Sequence, residues 1–334
     1  VGQPIVAFSE AALAKAAALL RADQICAFPT ETVYGLGGNA LSPVAVGRIY
    51  ALKGRPSHNP LIVHLADATA AARLCGAWPA RAETLAARFW PGPLTLVVPR
   101  GAAVPSIVSA GLPTMAVRVP AHPVALSLLR AADLPLAAPS ANRSESVSPT
   151  TAEHVRRSLP EVPLILDGGP CRLGIESTVI DLTTTPPRLL RPGALPLREL
   201  LAVVPDLALP SFERSLGGSD NGDAPRAAPG MLSRHYAPRT PLWLYARAAD
   251  LQRPDLPAPR GLLTYRPPGE AAGHYAHIEQ LPDEPQAYAA DLYSALHRLD
   301  DAGVASIAAL VPPATLEWHA VSDRLGRAAS GRIG

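Results

Sequence analysis

Five short segments carry residue types that chemistry needs. FPTETVYGLGGNA sets the hydroxyls of Thr30 and Thr32 beside Glu31 and Tyr34, directly after an apolar strand pattern. The carboxyl ends of strands are where open α/β sheets bind ligands; a turn with capping hydroxyls is the plainer reading. KGRPSHNPLIVH puts Lys53 and Arg55 two apart around Gly54, then Asn59, Pro60 and a strand pattern containing His64. A lysine point charge and an arginine fork on a non-helical loop suit a polyphosphate, although a solvated charged loop looks the same. APSANRSESVSPT offers Ser140, Asn142, Ser144, Ser146 and Ser148 ahead of a helix, either an anion or nucleobase cradle or a run of N-cap residues. LILDGGPCRLGIESTVIDL and RLLRPG place Gly168, Gly169, Gly174, Ser177, Thr178 and Arg191 at strand ends, with Asp167 reading as a turn residue. Arg118 interrupts the apolar strand MAVRVP, and a buried arginine requires an anionic partner, structural or substrate-borne.

Other chemistries lack their signatures. There is no G-x-x-x-x-G-K-[ST], C-x-x-C, H-E-x-x-H or G-x-S-x-G, hence no P-loop, zinc motif or nucleophile elbow. Gly35, Gly37 and Ala40 match G-x-G-x-x-A, but the glycines are not poised between a strand and its helix as dinucleotide binding demands. Cys26, Cys75 and Cys171 are too scattered for a disulfide framework. What remains is three hydroxyl-rich turns, Lys53, Arg55, Arg118, Arg191 and one histidine. That set suits holding a nucleotide polyphosphate and a small acid, with catalysis by positioning and charge neutralisation.

Alternating elements must position these groups. The chain has 334 residues, 48% apolar and 17% charged, enough for two globular domains. Its longest apolar stretches, LTLVVP and SIAALVPP, fall far short of a membrane span, and the charged start is no secretory signal, so a cytoplasmic protein is expected. Every basic residue except Lys15 and Lys53 is arginine, which singles out Lys53 as a place that wants a compact ammonium. Residues 1–205 hold 18 Lys and Arg against 13 Asp and Glu, whereas 206–334 hold 12 against 15, so the first part is the better partner for an anion. Helical periods over 9–21, 43–52, 79–89, 123–132 and 151–158 alternate with strand patterns at 25–29, 61–65, 94–99, 115–119, 136–139, 164–167, 178–182 and 188–191. Several strand links are too short for crossover helices, which predicts a mixed sheet. SLGGSDNGDAPRAAPG marks a linker. Beyond it, strand patterns at 242–245, 261–265, 277–278 and 307–311 and helices over 286–302 and 316–329 predict a smaller, open parallel domain. The expected domains are 1–205, a linker 206–240 and 241–334.

PTETVYGLG, KGRPSHNPLIVH, WPGPLT, APSAN with SPT, DGG with GIESTVID, and RPG occur in this order, and together they resemble the YrdC-type family of L-threonylcarbamoyladenylate synthases. PGMLSRHYAPRTPL is similar to the interdomain linker of its two-domain form. The resemblance implies a YrdC-like twisted mixed-sheet domain with a Rossmann-like C-terminal domain. It implies activation of L-threonine with bicarbonate or CO2 and ATP, with Mg²⁺ held mainly by the ATP phosphates, and a product passed to the transferase machinery of tRNA t6A modification. It places threonine against Thr32, His64, Arg118, the Ala138 backbone and Ser177. ATP falls against Lys53, Arg55, Asn59, Thr114, Ser140, Asn142, Ser148, Arg191 and the linker Tyr236, with Lys53 and Arg55 catalytic. The linker then acts as a lid, which His235 joins.

The same segments also resemble the carbamoyl-adenylate-forming domain of hydrogenase-maturation carbamoyltransferases, and the basic concave face that the YrdC resemblance implies leaves open a non-catalytic double-stranded-RNA-binding module. Glu145 and Ser146 depart from the family pattern, where a glycine and a basic residue are common. Glu145 is therefore expected to face solvent. Lys53, read as part of an open loop, is expected to tolerate Ala without loss of fold, and Arg118→Ala is expected to abolish threonine dependence.

Overall fold

The computed structural model describes residues 5–210, 235–252 and 255–333. SLGGSDNGDAPRAAPG and the first part of the expected lid lie outside them. The N-terminal strands are β1 (Ile5–Ala7), β2 (Cys26–Phe28), β3 (Gly35–Asn39), β4 (Ile62–His64), β5 (Leu94–Pro99), β6 (Thr114–Arg118), β7 (Leu136–Ala137), β8 (Ile165–Asp167), β9 (Thr178–Asp181) and β10 (Arg188–Arg191). They form one mixed sheet in the order β1-β8-β2-β3-β7-β4-β6-β5-β9-β10, as the short strand links require.

Caps set the helix ends. α1 (Glu10–Arg21) starts where the Ser9 hydroxyl accepts from the Ala12 N–H, and buries Ala12, Ala16, Ala17 and Leu20. α2 (Pro43–Lys53) is capped by Ser42 and stops at Gly54, whose φ of +59° ends the helix in the left-handed region. Lys53 is therefore the last residue of a helix and not part of an open loop. α3 (Ala68–Leu74), α4 (Ala80–Phe89), α5 (Pro123–Ala132), α6 (Ala152–Ser158) and α7 (Leu197–Val203) complete the domain. Its structure runs past the expected boundary, since the Ala208 N–H donates to the Pro187 carbonyl and the Ala208 carbonyl accepts from Leu189 N–H.

The glycine-rich run after Tyr34 is a strand, not a loop: β3 lies antiparallel between β2 and β7. Strand propensity misses it because a Cβ at Gly37 would lie 2.5 Å from the Phe28 ring, so the glycine makes room for the neighbouring strand's aromatic. The central strands alternate. Val63, Leu96, Met115 and Val117 point into the main core, while Ile62, Val97, Ala116 and Val179 form a small apolar cluster on the opposite face. That second face carries His64 and Arg118 at the strand ends, adjacent in the parallel register of β4 and β6.

The C-terminal sheet is all parallel, in the order β13-β12-β14-β11-β15, from β11 (Leu242–Tyr245), β12 (Arg260–Thr264), β13 (His277–Gln280), β14 (Ser306–Leu310) and β15 (Gly331–Ile333). β14 reads SIAAL and is buried throughout, the mark of a strand covered on both faces. α8 (Pro285–Asp301) and α9 (His319–Ala328) flank it.

The domains meet along α8 and α9. Thr150 and Ser294 share a hydroxyl contact of 2.9 Å, and the His154 and His297 rings stack 3.9 Å apart. Gly174 makes the closest approach: its φ is +69°, and a Cβ there would lie 2.2 Å from the Ala290 carbonyl oxygen. Gly174→Ala should therefore cost about 2 kcal/mol or more, read as a lowered thermal midpoint and faster proteolysis between the domains. An unchanged midpoint would show that this seam tolerates separation.

Candidate active site

A cavity of about 520 Å³, open mouth included, lies over the second face of the first sheet, where strand ends meet the linker. All five residues expected at threonine (Thr32, His64, Arg118, Ala138 and Ser177) line it, as do Arg55, Ser140, Arg191 and Tyr236 from the nucleotide set. Segments spread over some two hundred residues converge there because parallel and antiparallel strands deliver their ends to one edge.

Arg118 already has an anion. Its Nη2 lies 2.6 Å from Glu31 Oε1, Nη1 donates to Thr32 Oγ1 at 3.0 Å, and Nε donates to the Gly92 carbonyl at 3.1 Å. The Glu31 contact is close but not aligned as a hydrogen bond, leaving both Glu31 oxygens and Arg118 Nη2 without hydrogen-bond partners. The guanidinium is thus held from three sides, with hydrogen-bonding capacity left over. Ser177 shares a hydroxyl contact of 2.7 Å with Thr95, and Arg191 donates to its carbonyl at 2.9 Å and its hydroxyl at 3.2 Å.

The other nucleotide-set residues stand behind or beside the wall. Lys53 is only 2% exposed; its Nζ donates to the Ser140 carbonyl at 2.6 Å and also to the Asn142 carbonyl. The open-loop expectation is therefore corrected: this ammonium ties down a turn, and its removal strands the buried Asn142 carbonyl and the half-buried Ser140 carbonyl. Asn59 clamps Arg55, accepting from Nη2 at 2.6 Å and from Nε at 3.0 Å through its carbonyl. Asn142 donates to the Arg143 and Ser146 carbonyls, each at 2.8 Å. Ser148 donates to Glu176 Oε1 at 2.6 Å. Thr114 begins β6 on the same face as Arg118, at the strand's far end. Glu145 is exposed, in the left-handed region at φ +69°, and does not line the cavity.

Positive charge is concentrated around Lys53, Arg55 and Arg191. Burial and then Arg55 push the Lys53 pKa well down, and burial lowers Arg55 to about 10. Burial, Arg55, Lys53 and Arg191 together hold His235 well below the usual histidine range. Burial, then Arg118, pushes His64 down to about 3. Both imidazoles are neutral at physiological pH. His64 Nδ1, His235 Nδ1 and Tyr236 Oη are buried without hydrogen-bond partners, on three residues that line the cavity.

Sequence reading passed over two carboxylates. Glu31 was visible in PTET only as a neighbour. Glu176, inside GIES, takes donors from Ser148, Tyr293 Oη (3.0 Å) and Arg324 Nε (2.7 Å). Burial acts to raise its pKa, but Arg324, Arg191 and Ser148 outweigh it, so the carboxyl stays below its usual range. No local pattern links Glu176 to partners so distant in the chain.

Fold and cavity define a two-domain α/β protein with one hydroxyl-lined cavity that Arg55, Arg118 and Arg191 share. Residues 18–193 match the Sua5/YciO/YrdC family, described as telomere recombination, and residues 196–330 match the threonylcarbamoyl-AMP synthase C-terminal domain. The threonylcarbamoyl-AMP synthase of Pyrococcus abyssi is 41% identical over 95% of this chain and 94% of its own; that of Bacillus subtilis is 43% identical over 96% and 94%. The crystal structure of P. abyssi Sua5 complexed with L-threonine superposes with a TM-score of 0.89 at 38% identity, covering 99% of this chain and all of that one. The chain belongs to the Sua5/YrdC family and, within it, to the two-domain threonylcarbamoyl-AMP synthases, nucleotidyltransferases of t6A biosynthesis.

Two outcomes follow from this geometry. Lys53→Ala should cost about 1–3 kcal/mol of stability, because a buried and a half-buried carbonyl lose a charged donor; a midpoint equal to the parent's would return Lys53 to a purely ligand-facing role. Because His64 titrates near 3 in the folded chain against 6.5 ordinarily, the unfolded chain binds the extra proton below pH 6.5. Stability is then lost as pH falls from about 6.5 toward 3, by up to about 1.4 kcal/mol per pH unit for this residue. Melting from pH 7 to 5 should show a shallower decline in His64→Gln; an unaltered slope would mean His64 protonates freely.

Proposed function

We propose that the cavity condenses L-threonine, bicarbonate or CO2, and ATP into L-threonylcarbamoyladenylate and pyrophosphate. The observation that carries this reading is the gathering of Arg118, Thr32, His64, Ser177 and Ala138 in one cavity with Arg55, Ser140, Arg191 and Tyr236. Threonine's carboxylate sits on Arg118, whose spare hydrogen-bonding capacity suits it, with Thr32 and Ser177 as hydroxyl partners. The neutral His64 faces the amine or hydroxyl. The free amine adds to CO2 and loses a proton, giving a carbamate. A carbamate oxygen then attacks the α-phosphorus as the bond to the β-phosphate breaks, and pyrophosphate leaves with the electron pair. Arg55 and Arg191 neutralise the phosphates, and Tyr236 covers them, so the chain contributes orientation and charge instead of a covalent intermediate. Lys53, Asn59, Asn142 and Ser148 act by holding Ser140, Arg55, the turn and Glu176; Thr114 is left for the distal end of the nucleotide.

Among the described residues no three His, Cys, Asp or Glu side chains are placed to hold a metal ion. Mg²⁺ would therefore be carried by the ATP phosphates, and no step above is assigned to it. The product is a mixed anhydride that a downstream t6A transferase would consume, with any tRNA contact falling to that encounter. No helix among the described residues is long and apolar enough to cross a membrane, and use of ATP favours a cytoplasmic setting.

Pyrophosphate release, with threonine and bicarbonate omitted in turn and serine as competitor, tests the reading. Dependence on both, with threonine preferred, is expected, and Arg118→Ala should lose threonine saturation. Release without threonine would indicate another carbamoyl acceptor. No release under any condition, with salt-sensitive RNA binding, would favour the binding module.

A further inference from the structure

The last helix, α9, acts on the cavity through other residues. Arg324 is 1% exposed. Its Nε donates to Glu176 Oε2 at 2.7 Å, its Nη1 pairs with Asp323 Oδ2 at 2.6 Å, and its guanidinium carbon lies 4.9 Å from the centre of the Tyr236 ring. Glu176 is bonded in the chain to Ser177, and Glu176, Ser177 and Tyr236 all line the cavity. One turn further on, the Arg327 carbonyl accepts the His235 N–H at 3.1 Å. Carbonyls of a helix's last turn have no partner within the helix, so this one is available to anchor the linker. Tyr293, on α8, reinforces both contacts: its hydroxyl donates to Glu176 Oε2 at 3.0 Å and its ring stacks on Tyr236 at 5.8 Å.

We propose that Arg324 is a positioning residue for adenylate formation, through which the C-terminal domain fixes Ser177 by way of Glu176 and fixes the ring of Tyr236. The role rests on the synthase reading of the cavity. One planar guanidinium donates in its plane to the carboxylate while its face meets the aromatic ring, a combination an ammonium cannot make. Glu176 cannot stay ionised and oriented under the cavity without its donors. Losing them frees the wall bearing Ser177 and the ring over the phosphates together, although neither Arg324 nor Tyr293 lines the cavity. The C-terminal domain is thereby part of the active site's frame.

Arg324→Lys keeps the charge and loses the fork; Tyr293→Phe keeps the ring and loses one donor. Pyrophosphate release is measured against threonine and against ATP, beside the thermal midpoint of each full-length variant. KM for both substrates should rise, about three- to tenfold in Tyr293→Phe and about tenfold or more in Arg324→Lys, with Tyr293→Phe still folded. If Arg324→Lys does not fold, Tyr293→Phe decides. Unchanged KM values, with maximal rate falling only as the folded fraction falls, would make Arg324 a domain fastener and overturn the proposal. If the parent chain shows no threonine-dependent release, the synthase reading fails and this role with it; an active parent with unmoved KM sinks this role alone.

Discussion

A carboxylate buried between two domains must be matched by donors or it will not stay ionised, and Glu176 imposes that condition on this chain. Ser148 answers from the N-terminal domain, Tyr293 and Arg324 from the C-terminal one. The match requires α8 and α9 at a set distance, and the close approach of Gly174 to Ala290 permits it. Domain docking and site geometry are consequently one arrangement: the loop that packs against α8 continues directly into Ser177 and β9.

The site's second constraint is its density of cations. Arg55, Arg118 and Arg191 line the cavity with Lys53 behind its wall, and the fold moderates the repulsion among them with oxygen acceptors. Backbone carbonyls take Lys53 and part of Arg55 and Arg191, while Glu31 stands against Arg118. The lone lysine of the group fits because a compact ammonium can bridge the Ser140 and Asn142 carbonyls, where a guanidinium would need a wider slot. Burial, with the same field adding to it, keeps His64 and His235 neutral, so the cavity offers imidazoles that hydrogen-bond without adding charge.

Much of the plan was legible locally. Caps at Ser9 and Ser42, the stop at Gly54, and the alternation that sets Arg118 among apolar neighbours are near-neighbour effects, and the structure follows them. β3 was not legible, because its glycines answer to Phe28 on the next strand and not to strand propensity. Nor was α3, a single short run of small residues, or α7. Lys53 was misread for a related reason: Gly54 and Pro56 announce a loop, but the burial of the residue just before them depends on the serine-rich turn that folds over it.

Sequence alone determined which chemistry was available. Residue types, their order and their strand-end placement define a cationic, hydroxyl-rich set and two α/β domains, because periodicity and turn chemistry act over a few residues. Tertiary structure decided which of those groups face the cavity and which hold it up. Arg118 meets Glu31, Ser148 turns to Glu176 and Arg324 reaches Tyr236 only when distant segments are packed together. Burial and charge pairing are properties of that packing, and no local spacing encodes them.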